Sequence, residues 1–123
     1  MNKNSCDVGI AITTYLRKDM VCNLVDRIQA LTRSDYKIVV CDDGSSDGTV
    51  EELQKKDITV LGGKNKGIAW NINRGLFSFS NLCRAKPVIL LDDDVWPEIA
   101  GWEQQCALAA SRLGPVMYFP TIY

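Results

Sequence analysis

The sequence has 123 residues, of which 46% are hydrophobic and 24% charged, and its formal net charge is -1. A chain of this size and composition can bury its own core, so we expect residues 1–123 to form a single domain. Basic and acidic side chains are nearly balanced and spread along the chain, which argues against nucleic acid or an anionic membrane surface as a partner. The absence of histidine excludes histidine-based zinc sites and catalytic triads, so any metal must bind oxygen ligands.

Five cysteines without a CxxC pair are the second compositional feature. An odd number of scattered cysteines is not typical of a disulfide framework, and it indicates a reducing, cytoplasmic location. No apolar run approaches the roughly 20 residues that a transmembrane helix needs. We therefore predict a cytoplasmic protein with no membrane span in this chain.

Strand-like and helix-like patterns alternate along the chain. Apolar, β-branched runs predict buried strands over residues 8–15, 36–41, 58–61 and 88–91. The first helix is predicted from a cap at Asp19 to Leu31, and the second over residues 49–55. A third helix follows Asn65. Its apolar positions at helical spacing are Ile68, Ile72, Leu76 and Phe79.

A fourth helix is predicted to open at Trp96-Pro97-Glu98, because proline is tolerated in the first turn of a helix. Gly114-Pro115 is expected to stop it, and residues 116–119 form a predicted fifth strand. The alternation of strands and helices predicts an α/β domain with a mainly parallel sheet.

A polar cluster lies at the end of each of the first four predicted strands or directly after it. The clusters are Thr13-Thr14-Tyr15, Asp42-Asp43-Gly44-Ser45, Gly63-Lys64-Asn65 and Asp92-Asp93-Asp94. Helical crossovers place the carboxyl ends of parallel strands on one edge of the sheet, where ligands bind in open α/β sheets. We therefore expect the four clusters to line one site.

The triplet Asp92-Asp93-Asp94 is the most informative of these clusters. At an effective dielectric of about 20, two carboxylates roughly 4 Å apart repel by around 4 kcal/mol, so the triplet needs a cation or wide exposure. Mg²⁺ or Mn²⁺ fits carboxylate ligands and keeps positions open for phosphate oxygens. Amides at the start of the helix after Asn65 could add stabilisation for a diphosphate. The alternative is a solvated turn in which Asp94 caps the next helix.

Four stretches in order, VGIAITTYLR, VVCDDGSSDGT, GKNKGIAWNINRGL and VILLDDDVWPE, resemble the signatures of family 2 glycosyltransferases. The resemblance runs from about Val8 to Glu98. It implies a Rossmann-like GT-A fold, with a mainly parallel layered sheet and helices on both faces. It also implies a nucleotide-diphospho-sugar donor, a divalent metal on a DxD motif and inverting transfer of the sugar to a hydroxyl acceptor.

The resemblance also implies roles for single residues. Thr14 and Tyr15 would line the nucleoside pocket, and Asp42 or Asp43 would read the nucleobase. Asp92 and Asp94 would be the metal ligands. Substrate contacts are further implied for Asp93, between those ligands, and for Asn73, in the third motif.

Two departures from the family pattern concern the donor pocket. Ile72 stands where the family usually has an arginine, and Thr13 stands where it commonly has proline. Two residues along a helix rotate the side chain by about 200°, so Arg74 is expected on the opposite face and not in the arginine's place. The resemblance therefore leaves the nucleobase open.

The sequence offers no clear candidate for the carboxylate that acts as general base in the inverting family. After Glu98 the chain offers only Glu103 as a carboxylate, and its place on a helix predicts solvated surface. No catalytic residue is therefore assigned. The chain is interpreted as a donor-binding half, whether as a fragment, a minimal relative or one part of an assembly with a partner domain or subunit.

Two other functions fit parts of the same pattern. A strand followed by DxDxV also occurs in haloacid-dehalogenase-like phosphohydrolases, in which an aspartate is the nucleophile. That class carries the motif on its first strand, whereas here it follows the fourth. A non-catalytic module that binds nucleotide is the second alternative, and it predicts binding without turnover.

Overall fold

The computed structural model describes residues 5–81, 84, 85 and 87–114. The strands are β1 (Ser5–Cys6), β2 (Val8–Thr14), β3 (Tyr36–Asp42), β4 (Thr59–Gly62), β5 (Arg84–Ala85) and β6 (Val88–Asp92), and the helices are α1 (Lys18–Leu31), α2 (Thr49–Lys55), α3 (Ile68–Asn81) and α4 (Trp102–Leu113). Among these helices, none has both the length and the apolar character that crossing a bilayer requires.

Four strands form a parallel sheet in the order β4-β3-β2-β6. The central strand β2 pairs along its whole length with β3, and from Gly9 to Thr13 with β6. A separate parallel pair of β1 and β5 was not predicted, because two-residue strands carry no periodicity. Since the four strands run in one direction, their carboxyl ends share one edge of the sheet.

Helices cover both faces of this sheet. On one face α1, α2 and the start of α4 bury the larger core. The residues that α1 contributes to it are Val21, Leu24, Val25 and Ile28. On the other face Phe79 of α3 packs with Ala11, Val39 and Cys41. The predicted Rossmann-like α/β fold is confirmed.

The predicted boundaries of the first elements agree closely with the structure. The four long strands begin and end within one residue of the predicted positions, and α1 ends at Leu31 as predicted. The start of α1 differs, because Arg17 occupies the cap position and Asp19 lies in the first turn. A carboxylate in the first turn still interacts favourably with the helix dipole.

The start of α4 is later than predicted. The helix begins at Trp102 and not at Trp96, because Gly101 has a φ of 77° and donates its amide to the Leu31 carbonyl at 2.8 Å. This bond joins the end of α1 to the start of α4. The predicted stop at Gly114 is confirmed, whereas the predicted strand over residues 116–119 lies outside the described residues.

Glu103 is not the solvated residue that the sequence predicted. It is fully buried, and its Oε1 accepts hydrogen bonds from the amides of Arg33 at 2.9 Å and Ser34 at 2.8 Å. Among the described residues its Oε2 has no hydrogen-bond partner. Burial raises the pKa of the Glu103 carboxyl, but the amide bonds from Ser34 and Arg33 outweigh burial and bring the pKa below its usual value. Glu103 thus fixes the segment after α1 to α4.

The buried face of α3 also differs from the predicted apolar face. Phe79 is buried as predicted, but Ile68 is 65% exposed and Leu76 43% exposed. The buried positions of the helix are Asn71, Gly75, Ser78 and Phe79. Small and polar side chains let α3 approach the sheet closely, so apolar periodicity identified the wrong face.

Replacement of Gly75 by alanine is expected to destabilise the fold by about 1–3 kcal/mol through overpacking. A Cβ at Gly75 would lie 2.9 Å from the Ala11 Cβ and 3.1 Å from the Cys41 Sγ, on two buried strands. Chemical denaturation measures the effect, with Asn73→Ala on an exposed position of α3 as the control. Helix propensity alone predicts that Gly75→Ala is at least as stable as the wild type. That result would contradict the close packing of Gly75 against the sheet.

Candidate functional site

Loops from three separate parts of the chain meet at the carboxyl edge of the sheet. They enclose an open cavity of about 320 Å³. Its lining residues are Thr13, Thr14, Tyr15, Arg17, Asp43, Ile68, Asn71, Asp92, Asp93 and Asp94. Six of the eight residues that the sequence assigned to substrate or metal are in this lining, and Asp42 and Asn73 are not. Clusters after β2, β3 and β6 therefore share one cavity, whereas no residue of the predicted cluster Gly63-Lys64-Asn65 is in its lining.

The loop after β2 fixes the acidic turn after β6. The Thr14 hydroxyl donates to Asp93 Oδ2 at 2.9 Å, and the Thr13 hydroxyl donates to Asp92 Oδ1 at 3.3 Å. Arg17 Nη1 donates to the other oxygen of Asp93 at 3.0 Å. Asp93 is buried and both of its oxygens bind protein, so it anchors the turn.

Asp92 and Asp94 differ from Asp93 in being exposed to the cavity. Within the described part of the chain, no three acidic or cysteine side chains converge as a metal cage. A divalent cation at Asp92 and Asp94 would therefore need further oxygen ligands, and phosphate oxygens are of the required kind. The donor set of two exposed carboxylates fits Mn²⁺ or Mg²⁺ held jointly by protein and diphosphate.

Asp42 and Asp43, at the end of β3, have different surroundings. Asp42 is buried, and its Oδ2 accepts hydrogen bonds from the amides of Gly44 at 3.2 Å and Ser45 at 2.8 Å. Its Oδ1 is buried and finds no hydrogen-bond partner among the described residues. This orphan oxygen is an acceptor for which the described protein supplies no donor.

Asp43 lines the cavity but also binds the start of α3. Its two oxygens accept hydrogen bonds from the amides of Lys66 at 2.8 Å and Gly67 at 3.1 Å. The sequence offered amides at the start of the helix after Asn65 as diphosphate ligands. Of the amides in this segment, those of Lys66 and Gly67, just before α3, are already bonded to Asp43.

Arg74 lies beside the two aspartates, although it is not in the cavity lining. Its Nη1 donates to the Asp42 carbonyl at 3.0 Å and to Asn71 Oδ1 at 3.1 Å, and lies 3.7 Å from Asp43 Oδ1. The predicted apolar face of α3 gave no indication of this contact. An Asn71–Arg74 pair three residues apart, on the side of Gly75, was the sequence signal for this contact.

Asn71 is a lining residue that sequence reasoning missed. It is 2% exposed, and its Nδ2 donates to the Cys41 carbonyl at 2.7 Å. Asn73, which the sequence selected instead, is exposed and outside the cavity lining. The polar residue that α3 presents to the cavity is therefore Asn71.

Leu16 has an unusual backbone conformation between two lining residues. Its φ is 54°, in the left-handed region that branched side chains rarely adopt. The Leu16 amide donates to the Ser45 hydroxyl at 2.8 Å, and the Asp43 amide donates to the Thr14 carbonyl at 3.1 Å. These two bonds join the loop after β2 to the loop after β3.

Two solved structures share the fold of this chain. The mannosyltransferase PcManGT from Pyrobaculum calidifontis in complex with GDP-Man and Mn²⁺ is 20% identical with a TM-score of 0.61, over 78% of this chain and 30% of that chain. S. aureus TarS is 19% identical with a TM-score of 0.68, over 85% of this chain and 20% of that chain. The chain thus spans less than a third of either similar protein.

Sequence comparison gives the family. No curated protein matches the chain. The model of glycosyl transferase family 2 matches residues 9–123, a range that contains all three loops of the cavity. With the family match over nearly the whole sequence and the fold shared with the two solved structures, the chain belongs to glycosyl transferase family 2.

Proposed function

We propose that this chain is the donor-binding domain of a metal-dependent glycosyltransferase that transfers a sugar from a nucleotide diphosphate to a hydroxyl acceptor with inversion. The observation that carries the proposal is the shared cavity, in which Thr14, Asp43 and Asp94 meet from three loops. A cavity lined by carboxylates is unsuited to a bare diphosphate unless a cation lies between them.

Asp92 and Asp94 are the proposed ligands of that cation. When bound, Mn²⁺ or Mg²⁺ would neutralise the charge that develops on the departing diphosphate. Asp93 contributes by holding the turn through Thr14 and Arg17. The Mn²⁺ and GDP-Man in the complex of the mannosyltransferase PcManGT support this assignment.

The nucleoside is assigned to the side of the cavity formed by Thr14, Tyr15 and Asp43. For Asp42, which lies outside the cavity lining, the proposed nucleobase contact is supported by its buried Oδ1, an acceptor without a donor among the described residues. For Asn73 the proposed substrate contact depends on the sequence motif alone, because the residue lies outside the cavity lining.

A general base for the acceptor hydroxyl is proposed to lie outside the described residues. Glu103 is excluded by its burial and its two amide bonds. The chain spans less than a third of the two similar structures. We therefore propose that a further domain or a partner subunit supplies the acceptor site and the base, as the inverting reaction requires a base opposite the leaving group.

The family match favours glycosyl transfer over the phosphohydrolase alternative. A non-catalytic nucleotide module remains the second candidate, because the cavity accounts for binding without a base. Release of nucleoside diphosphate from a nucleotide sugar, measured in the presence of Mn²⁺, separates the two. Binding without any release by the complete protein would favour the non-catalytic module.

A thermal-shift panel tests the donor site. We expect nucleotide sugars and nucleoside diphosphates to raise the melting temperature with Mn²⁺ present and to have little effect with EDTA. At about 100 times the dissociation constant the ligand adds roughly 2.7 kcal/mol of stability, which shifts a domain of this size by several degrees. If no diphosphate in a panel of uridine, guanosine, adenosine, cytidine and thymidine forms gives a metal-dependent shift, the donor-site proposal is wrong.

A further inference from the structure

Arg17 brings a positive charge into the acidic cavity. Among the described lining residues it is the only basic one. Its Nη1 donates to Asp93 Oδ1 at 3.0 Å and lies 3.8 Å from Asp94 Oδ2. The side chains of Arg17 and Asp94 are 51% and 55% exposed, so both can meet a ligand that enters the cavity.

Both the backbone and the side chain of Arg17 are held by hydrogen bonds. On the backbone side, Leu16 holds its left-handed conformation with the amide bound to Ser45, and the Arg17 carbonyl accepts the first hydrogen bond of α1 from Val21 at 3.0 Å. On the side-chain side, Asp93 is itself held by Thr14. The bond to Asp93 places the Arg17 guanidinium at the carboxylates of the turn.

We infer that Arg17 is an internal counter-charge that competes with the divalent cation for Asp94, so that the cation binds tightly only together with the diphosphate. The inference rests on the proposed function, since it concerns the same cation site. A guanidinium beside a carboxylate stabilises that carboxylate and repels an incoming cation. A bound diphosphate removes this opposition to the cation, because its oxygens can accept hydrogen bonds from the remaining N–H groups of Arg17.

This competition makes the binding of the cation and the diphosphate cooperative. The diphosphate compensates the charge of both the metal and the guanidinium, and each ligand then raises the affinity for the other by the same factor. Arg17 therefore sets the affinity for the cation and takes no part in the bond-breaking step. Its effect is measurable on the metal alone, without turnover.

The test measures Mn²⁺ binding without nucleotide, from the electron paramagnetic resonance signal of free Mn²⁺. Arg17→Gln keeps an N–H donor for Asp93 and removes the charge. We expect it to bind Mn²⁺ about tenfold more tightly than the wild type, within the usual range of site-to-site coupling. Arg17→Lys, which keeps the charge, is expected to match the wild type. Arg17→Met removes the charge in a second way and is expected to behave like Arg17→Gln.

Arg27→Gln is the matched control for the loss of one positive charge near α1. Arg27 lies over the Trp96 ring and donates to the Pro97 carbonyl, outside the cavity lining. We expect it to leave Mn²⁺ affinity unchanged. Addition of UDP or GDP is expected to tighten Mn²⁺ binding strongly in the wild type and less in Arg17→Gln.

The outcomes separate this inference from the proposed function. If Arg17→Gln and Arg17→Met bind Mn²⁺ alone no more tightly than the wild type, or if Arg27→Gln gives the same gain, the role of Arg17 is wrong and the metal site stands. If the wild type binds no Mn²⁺ with any nucleoside diphosphate of the panel, the metal site is wrong, and the inference fails with it.

Discussion

Replacement of Asp94 by asparagine is expected to abolish the Mn²⁺-dependent rise in melting temperature that a bound nucleoside diphosphate gives the wild type. The asparagine side chain has the same size but no charge, and a neutral amide oxygen is a much weaker ligand than a carboxylate for a hard cation. The loss would amount to most of the roughly 2.7 kcal/mol that ligand at about 100 times the dissociation constant provides. Thermal shift with Mn²⁺ and with EDTA measures it.

The same substitution should leave the fold without ligand nearly unchanged, because Asp94 is exposed and contributes nothing to the core. Asp57→Asn is the control, since Asp57 is an exposed turn residue with a φ of 59° that asparagine tolerates. Asp57→Asn should keep the full ligand-induced shift. If Asp94→Asn keeps the full Mn²⁺-dependent shift in melting temperature, Asp94 is not the metal ligand.

Replacement of Glu103 by alanine is expected to reduce the free energy of unfolding by about 3 kcal/mol, because each unsatisfied buried donor costs about 1–3 kcal/mol. The two backbone amides of Arg33 and Ser34 would lose their acceptor in a partly buried place. Glu103→Gln keeps one acceptor oxygen and should lose less. Urea denaturation measures both variants, and Glu98→Ala, at an exposed position, is the control.

The contribution of Glu103 to stability is expected to depend on pH, in the direction given by the shift of its pKa. The pKa of Glu103 lies below the usual 4.5 in the folded chain, so the carboxylate contributes stability above the pKa of the unfolded chain. That contribution is lost as the pH falls through the folded pKa. The stability difference between wild type and Glu103→Gln should therefore shrink below about pH 4.5. A difference that stays constant down to about pH 3 would contradict the role of the charge.

The strands and their common edge could be predicted because they depend on local patterns. Buried parallel strands are continuous apolar runs, and crossover helices bring the strand ends to one edge regardless of the details of packing. The face of α3 could not be predicted in this way. Its contact with the sheet is made by Gly75 and Asn71, which carry no apolar signal.

In the candidate site, too, features set by local sequence patterns could be predicted, and features set by packing between elements could not. Three of the four polar clusters that the chain order predicted at the carboxyl edge of the sheet contribute to the cavity, and the cluster after β4 does not. The surroundings of single side chains were not predicted, because Arg74, Asn71 and Glu103 are placed by contacts between elements distant in sequence. Tertiary contacts decide whether a carboxylate such as Glu103 is solvated or buried.

The bond between Thr14 and Asp93 spans 79 residues of sequence, and this separation has a consequence for how the cavity comes into being. Loop closure over such a distance opposes contact formation until the intervening strands and helices are in place. The half of the cavity on β2 and β3 can thus assemble before β6 docks beside β2. Ligand binding should therefore appear late in folding, only after β6 has docked and the sheet is complete.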